Sequence, residues 1–195
     1  MEQIFFTSDH HFGHANIIRY SERPFADVEE MNESLITNWN AVVGENDIVY
    51  HLGDIFMTPL PAAKAIRRQL NGRIRLIRGN HDKVAESMPD AFEWIKDLYE
   101  VKIPDPDAVE GRRRIVLCHY AMRVWNKAHH GAWHLYGHSH GSLPDDPNSL
   151  SFDVGVDCHF YMPISFERVK RIMADKRFVP IDHHGADQET QLESE

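Results

Sequence analysis

The sequence is poor in cysteine, in basic residues and in long apolar runs, and each shortage argues against a class of protein. Two cysteines cannot build the disulfide framework of a small secreted domain, so a reducing cytoplasm is the expected compartment. No apolar stretch approaches the roughly 18 residues that a membrane helix needs. The 21 basic and 30 acidic residues leave a formal net charge of −9, which argues against strong non-specific binding to nucleic acid or to anionic membranes.

Histidine, by contrast, is abundant. The 195 residues include 14 histidines, more than the 11 glycines, the 10 prolines or the 10 phenylalanines. An apolar fraction of 42% and a charged fraction of 26% are ordinary for a globular protein. The segment 182–195, which contains His183 and His184, is polar and acidic without periodicity. We therefore predict one domain over residues 1–181 and a disordered acidic tail over 182–195.

Strand and helix patterns alternate along the first part of the chain. Strands are predicted at 3–7, 47–52, 73–78, 114–118, 133–136 and 151–156, with 92–103 extended and a further edge strand at 178–181. Helices are predicted at 28–43, at 61–70, and from an N-cap at Ser165 to about residue 175. The later strands follow each other more directly than the early ones. This mixture predicts an α/β protein with more than one sheet.

Polar side chains follow five successive predicted strands at the point where each strand ends. A single Asp after a strand is usually a turn residue, but five such exits in order are hard to explain by turns alone. The carboxyl ends of strands are where sites form in open α/β sheets, so we expect these side chains to meet. The residues are Asp9, His10, His11, Asp54, Asn80, His81, Asp82, His119, His138 and His140.

The donors at these exits are carboxylate, amide and imidazole groups. This set lacks the four thiolates of a structural zinc site, and it suits Mn, Fe, Zn or Co in expanded coordination. Seven donors are too many for one closed site and match two open sites that share a carboxylate. Two metals roughly 3.5–4 Å apart are typical of enzymes that hydrolyse phosphate esters. The sequence therefore favours a hydrolytic metal centre over a structural zinc site.

Five motifs occur along the chain in this order: Asp-x-His, Gly-Asp, Gly-Asn-His-Asp, a lone His after a strand, and Gly-His-x-His. This ordered set resembles the calcineurin-like metallophosphoesterase superfamily. The segments 8–17 and 152–157 further resemble a branch of small bacterial and phage members. The resemblance implies a four-layer α/β/β/α sandwich with two mixed sheets. It also implies a phosphoric ester hydrolase with two divalent metal ions, of which Mn is expected first and Fe, Zn, Ni or Co are alternatives.

The resemblance also assigns roles to individual residues. Asp54 would bridge the two metals, together with a hydroxide that acts as the nucleophile. His81 would protonate the leaving oxygen or stabilise its charge, and Asp82 would orient the His81 ring. The first metal would be held by Asp9, His11 and His140, and the second by Asn80, His119 and His138.

Other residues near the motifs have more than one interpretation. His14 is as well explained by substrate contact as by helix capping, and a solvated helix face is the favoured explanation for Arg23. Arg123 and Trp125 lie in the loop after the fourth strand, where they suit a phosphate clamp and a base-stacking platform, although packing is the commoner role of such a Trp. No role is assigned to His10, Asp153 and Asp157.

The predicted function is hydrolysis of phosphodiester bonds in a small phosphate ester, for example a cyclic or short nucleotide. The sequence determines neither the physiological substrate nor the oligomeric state. Because Gly53-Asp54 runs into Ile55 and the third motif ends in Asp82, protein phosphatase activity is disfavoured. The chain has no room for a cap domain, so an open site is expected. The alternatives are a phosphomonoesterase and, from another class, a metal-bound interaction scaffold without catalysis.

Overall fold

The computed structural model describes residues 2–108 and 110–182, and it contains two β-sheets. The strands of the first sheet are β1 (Ile4–Thr7), β2 (Ile48–His51), β3 (Arg73–Ile77), β4 (Trp94–Lys96) and β9 (Ile164–Ser165). They lie in the order β4-β3-β2-β1-β9. The pairs among β1 to β4 are parallel, and β9 runs antiparallel to β1.

The second sheet is also mixed. Its strands are β5 (Leu98–Pro104), β6 (Arg112–Cys118), β7 (Trp133–Tyr136) and β8 (Ser151–Asp153), in that order across the sheet. β5 and β6 form an antiparallel hairpin, whereas β6, β7 and β8 are parallel neighbours.

Over residues 2–108 and 110–182, five α-helices connect or follow the strands. They are α1 (Ala15–Tyr20), α2 (Val28–Val42), α3 (Leu60–Arg67), α4 (Lys83–Glu86) and α5 (Phe166–Ala174). The apolar residues of α2 recur every four positions, so Met31, Leu35 and Trp39 are all buried on one face. Ser165 caps α5 by accepting a hydrogen bond from the backbone N–H of Arg168, as the sequence predicts.

Alternation along the strands divides their side chains between two cores. Phe5 and Val49 pack with the buried faces of α2 and α3 in the first core. Phe6 and Tyr50, one position further along each strand, pack with Leu117 and other residues of the second sheet. The first sheet is therefore buried on both sides, as expected for parallel strands.

Parallel pairing brings the ends of the strands to one edge. Thr7 pairs with His51 and His51 pairs with Leu76, so β1, β2 and β3 end side by side. An isolated parallel bridge from Ser8 to Gly155 joins the exit of β1 to the exit of β8 in the other sheet. The carboxyl ends of both sheets therefore meet, and this junction is where the predicted ligands follow their strands.

The α/β class and the two mixed sheets are confirmed. The segment 92–103 is extended as predicted, but it splits at Asp97 into β4 and β5, which belong to different sheets. The predicted edge strand at 178–181 is wrong, because the N–H of Val179 bonds to the loop carbonyl of Asn148 rather than to a strand. The helices α1 and α4, of six and four residues, are too short to give a periodic signal.

Two further expectations about the fold stay predictions. The first is the four-layer order. Helices α2 and α3 cover the first sheet, but the contact to His134 on the second sheet comes from Trp125 in a loop. The predicted tail lies outside the described residues except for Asp182, so the domain boundary also stays a prediction. Within the described ranges, no helix combines the length and the apolar character needed to cross a membrane.

Candidate metal centre

The first cluster of predicted ligands contains Asp9, His11 and His140. Asp9 Oδ1 lies 3.9 Å from the Nε2 atoms of both His11 and His140. These residues offer one ligand atom each within 4.8 Å of one another. A cation with ligand distances of about 2.0–2.2 Å fits between donors at such separations.

Asp54 links this cluster to a second one. Its Oδ2 lies 3.6 Å from His11 Nε2 and 3.6 Å from His119 Nε2, and its Oδ1 accepts a hydrogen bond of 2.8 Å from the backbone N–H of His81. Asp9, Asp54 and His119 likewise offer ligand atoms within 4.8 Å of one another. A carboxylate oxygen at equal distances from histidines of two clusters has the position of a shared ligand.

The second cluster is completed by Asn80 and His138. Asn80 Oδ1 lies 3.0 Å from both His119 Nε2 and His138 Nδ1. The opposite nitrogen of His119, Nδ1, lies 2.7 Å from the carbonyl of Leu52, so Nδ1 carries the proton. Burial lowers the pKa of His119, and its neutral ring directs the lone pair of Nε2 at the amide oxygen. A cation between these two acceptors would remove their repulsion.

The donor set fits a bound metal for a further reason. Asp9 Oδ1 and both ring nitrogens of His11 are buried without a hydrogen-bond partner among the described residues. Burial raises the pKa of Asp9 to about 8 and lowers that of His11 to about 2. Buried polar groups without partners are costly, and a divalent cation would supply the missing partner to both side chains.

The backbone at the site is strained. Five of the seven predicted ligands have φ values between 48° and 68°, in the left-handed region that non-glycine residues rarely adopt. Such a conformation costs about 1–3 kcal/mol per residue and persists only where its surroundings hold it. In this chain it lets neighbouring residues of one short motif point into the same site. The five residues are Asp9, His11, Asp54, His138 and His140.

Two motif glycines are needed for close approach. A Cβ on Gly79 would collide with the backbone and carboxylate of Asp54, and a Cβ on Gly137 would collide with the side chains of Ser8 and Asp9. Both glycines precede predicted ligands, so the absence of a side chain lets the ligand loops pack against each other.

Asp82 has a different partner from the one that the sequence predicts. Its Oδ2 accepts hydrogen bonds from the N–H groups of Gly79 and Asp54 at 2.7 and 2.9 Å, and its Oδ1 accepts one from Ile55 at 3.0 Å. Within the described residues Asp82 makes no hydrogen bond or ion pair with the His81 ring, so the predicted orienting role is wrong. The buried Asp82 instead ties two ligand loops together through backbone N–H groups.

Arg23 is buried, and the expected solvated helix face is wrong. It follows the end of α1. Its Nε lies 2.8 Å from Asp157 Oδ1, and its Nη2 lies 2.8 Å from Asp157 Oδ2. Its Nη1 and Nη2 also donate hydrogen bonds to the carbonyls of His10 and Asp9, at 2.9 and 2.7 Å. This guanidinium thus holds the backbone of the first ligand loop.

Asp157 connects Arg23 to the centre. Its Oδ2 accepts a hydrogen bond of 2.7 Å from His140 Nδ1, which leaves His140 Nε2 turned toward Asp9. A carboxylate in this position fixes the tautomer and raises the basicity of a metal-ligating histidine. The sequence signal for Asp157 is its place in the segment 152–157, but nothing links it to Arg23, which lies 134 positions earlier.

His81 and His14 stand beside the first cluster. His81 is exposed, and its ring centroid is 5.8 Å from that of His11. Its ring forms no hydrogen bond with any of the described residues. His14 makes no side-chain cap on α1, so the capping explanation is wrong. Its ring centroid lies 5.6 Å from that of His11, and its Nδ1 is buried without a partner among the described residues. Substrate contact by His14 stays a prediction.

Arg123 and Trp125 line a cavity of about 480 Å³, which also includes Tyr136, two residues before His138. Trp125 Nε1 donates a hydrogen bond of 2.9 Å to the carbonyl of Ala132, so the half-buried ring has a packing role. Arg123 is exposed and has no ion-pair partner in the part of the chain that the structure describes. Its phosphate clamp and the base stacking by Trp125 stay predictions.

The two remaining motif residues have structural contacts. His10 is fully buried between the predicted ligands Asp9 and His11 in the sequence, and its Nδ1 lies 2.9 Å from His51 Nε2. Asp153 accepts hydrogen bonds from the backbone N–H groups of Gly155 and Gly141 at 2.7 and 3.2 Å. Both residues therefore hold the loops around the site.

Carboxylate, amide and imidazole donors clustered at the strand exits of an α/β protein are typical of one class, the metal-dependent phosphoester hydrolases. The chain belongs to the calcineurin-like phosphoesterase superfamily, because the model of that superfamily's domain matches residues 3–152. Membership implies metal-dependent hydrolysis of phosphoesters with divalent metals, and it confirms the family predicted from the motifs.

Several known proteins are similar to this chain. An uncharacterized protein of Methanocaldococcus jannaschii is 36% identical over 186 residues, which cover 92% of this chain and 96% of that protein. The gene 66 protein of Mycobacterium phage L5 is 29% identical over 73% of this chain and 80% of its own length, and it fits the predicted phage branch. The crystal structure of a protein of unknown function from Aquifex aeolicus has a TM-score of 0.65 and 25% identity, covering 88% of this chain and all of that one.

The stabilisation by bound metal is expected to grow between about pH 4 and about pH 8. Burial raises the pKa of Asp9 to about 8, so the protonated carboxyl group stabilises the metal-free fold at low pH. This contribution to the free energy of unfolding is lost as the pH rises from about 4 through 8. A cation replaces that proton, so the Tm difference between Mn-loaded and chelator-treated protein should be largest at the top of this range.

Thermal unfolding of matched samples tests this expectation. Asp9→Asn should flatten the rise of the metal-dependent Tm difference with pH, whereas Asp90→Asn, at an exposed carboxylate before the start of β4, should leave that rise unchanged. A metal-dependent Tm difference that is constant over the whole pH range would contradict the expectation.

Proposed function

We propose that this protein is a phosphodiesterase with two divalent metal ions, Mn being the first candidate. Asp9, His11 and His140 would hold one ion, Asn80, His119 and His138 would hold the other, and Asp54 would be shared. The single observation that carries the proposal is the Asp54 oxygen at 3.6 Å from histidine nitrogens of both clusters. When bound, such a pair activates water at neutral pH and neutralises the charge that develops on a phosphoryl group.

His81 is the candidate proton donor to the leaving oxygen. Its backbone N–H is anchored on Asp54 Oδ1 at 2.8 Å, which keeps the residue beside the shared carboxylate. Its ring is exposed and makes no hydrogen bond within the described residues, so it remains available to a substrate. A positioned histidine of this kind contributes about 10²–10⁴-fold to a rate.

The exposure of the site supports a diester substrate. Asn80, His81 and His138 are all exposed, so the site accepts a phosphoryl group that carries a second ester arm. A small phosphate ester or a cyclic or short nucleotide would fit this opening. Cys118 and Cys158 are both free thiols, which suits a reaction in the cytoplasm.

Hydrolysis of bis-p-nitrophenyl phosphate by the metal-stripped protein, before and after addition of Mn, tests the proposal. We expect no turnover without metal, turnover with Mn, and lower kcat/KM for p-nitrophenyl phosphate. The opposite preference would favour a monoesterase. Absence of turnover with Mn, Ni, Zn and Fe, in a folded protein that binds two ions, would favour the scaffold alternative.

His81→Ala is expected to reduce kcat for the diester by about 10²-fold or more while both metal ions stay bound, because the residue is a proton donor and not a ligand. Metal content is measured on the same samples by elemental analysis. His130→Ala, which removes an exposed histidine outside the ligand clusters, is the matched control. Loss of metal from the His81 variant, or unchanged kcat, would refute the assigned role.

A further inference from the structure

A second concave surface lies at the other end of the second sheet from the metal centre. We call it the basic groove; its cavity volume is about 430 Å³. The groove lies at the start of β6, whereas His119 follows the end of that strand. The seven residues of β6, with a rise of about 3.3 Å per residue, separate the groove from the metal centre by roughly 20 Å. The groove is lined by Ala108, Glu110, Arg112, Arg113, Arg114, Lys127, His130, Gly131 and Ala132.

The charge of the groove is opposite to that of the protein as a whole. The chain has a formal net charge of −9, yet the lining has three arginines and one lysine with Glu110 as its one acidic residue. Arg112 and Lys127 make no ion pair or side-chain hydrogen bond within the described residues. Single unpaired cations are ordinary on a surface, but here they converge on one concavity.

Two of the guanidinium groups are held in place. Arg113 donates to Asp105 Oδ2 from Nε and Nη2 at 3.1 Å each, and its Cζ lies 4.3 Å from the centroid of the Trp133 ring. Arg114 Nη1 lies 3.2 Å from Glu100 Oε2. Because the Glu100 contact uses only one N–H group of Arg114, further donors of that side chain remain for a ligand at little cost in side-chain entropy. Arg113 lies on the other face of the strand, over Trp133, and offers its donors on that face.

We propose that the basic groove is a binding site for an anion that carries at least two phosphate groups, such as the diphosphate of a nucleotide or free pyrophosphate. The Arg114 fork can bind phosphate oxygens in pairs, and Arg112 and Lys127 supply charge that no carboxylate among the described residues neutralises. The cavity, at about 430 Å³, is larger than a single phosphate group needs. The site is separate from the metal centre, so this inference does not depend on the proposed phosphodiesterase activity.

The test is titration of the Mg-loaded protein with ADP, adenosine and pyrophosphate by calorimetry. ADP and pyrophosphate should bind and adenosine should not, and the ADP affinity should fall as salt is raised. If pyrophosphate binds with the same affinity as ADP, the phosphate groups alone account for the affinity. In spectra of ¹⁵N-labelled protein, the amide signals of Gly131 and Ala132, both in the groove, should shift with ADP.

The double variant Arg112→Gln/Lys127→Gln should weaken ADP binding at the groove at least about tenfold, a change of about 1.4 kcal/mol. Its hydrolysis of bis-p-nitrophenyl phosphate should match the wild type, because neither residue touches the metal centre. Arg168→Gln/Arg171→Gln removes the same charge from exposed positions on α5 and should leave ADP binding unchanged. Equal ADP affinity in both double variants, or no shift at Gly131 and Ala132, would overturn the proposal.

Discussion

Asp54→Asn is expected to abolish nearly all phosphodiester hydrolysis, with kcat reduced about 10³-fold or more. Among the described residues, Asp54 is the one carboxylate whose oxygen is equally close to histidines of both candidate clusters. Replacing it by an amide removes the negative charge that both cations would share. The amide oxygen can still accept the hydrogen bond from the His81 N–H, so the loop geometry is expected to survive.

Three measurements on this variant separate the outcomes. Initial rates give kcat, elemental analysis gives the number of bound ions, and circular dichroism reports the fold. Asp90→Asn, at an exposed carboxylate four positions before β4 begins, makes the same chemical change at the opposite end of that strand from the centre and should retain wild-type activity. A folded Asp54→Asn protein that keeps both ions and more than about a tenth of its activity would refute the bridging role.

Arg23→Met is expected to reduce the free energy of unfolding by about 3–5 kcal/mol, the range for breaking a buried ion pair by removing one partner. The Arg23 side chain is fully buried, and its loss leaves Asp157 without its guanidinium and the carbonyls of Asp9 and His10 without a donor. Because Asp157 also holds His140, metal affinity is expected to fall about 10–100-fold.

Urea unfolding and metal titration measure the two effects. Arg19→Met makes the same change at an exposed residue four positions earlier and is expected to alter stability by no more than about 0.5 kcal/mol. In the double variant with Asp157→Asn, part of the lost stability should return, since no unpaired carboxylate then remains. A loss below about 1 kcal/mol for Arg23→Met would show that the buried pair does not hold the ligand loop.

That most of the candidate ligands lie close together could be predicted from the sequence. Asp9, Asp54, Asn80 and His119 each follow a short apolar strand, and parallel strands end at a common edge. Local pattern and general sheet geometry therefore suffice to bring these residues together. The helix α2 was equally predictable, because the spacing of its buried residues is a property of the local sequence.

Other features depend on contacts that local sequence does not encode. Adjacent residues His81 and Asp82 have separate partners, because the close packing of Gly79 against Asp54 brings three backbone N–H groups to the Asp82 carboxylate. Likewise, the split of 92–103 between two sheets follows from which neighbours β4 and β5 find.

The sequence by itself determined the family, the α/β class and the donors that follow the strands, because these are written in short motifs and in periodicity. Only the tertiary structure decided that Arg23 is a buried clamp and that Asp157 orients His140. It also decided that a basic groove forms between the β5–β6 hairpin and the segment before β7. The physical reason is the same in each case: these interactions join residues far apart along the chain, and they exist only after packing has brought those residues together.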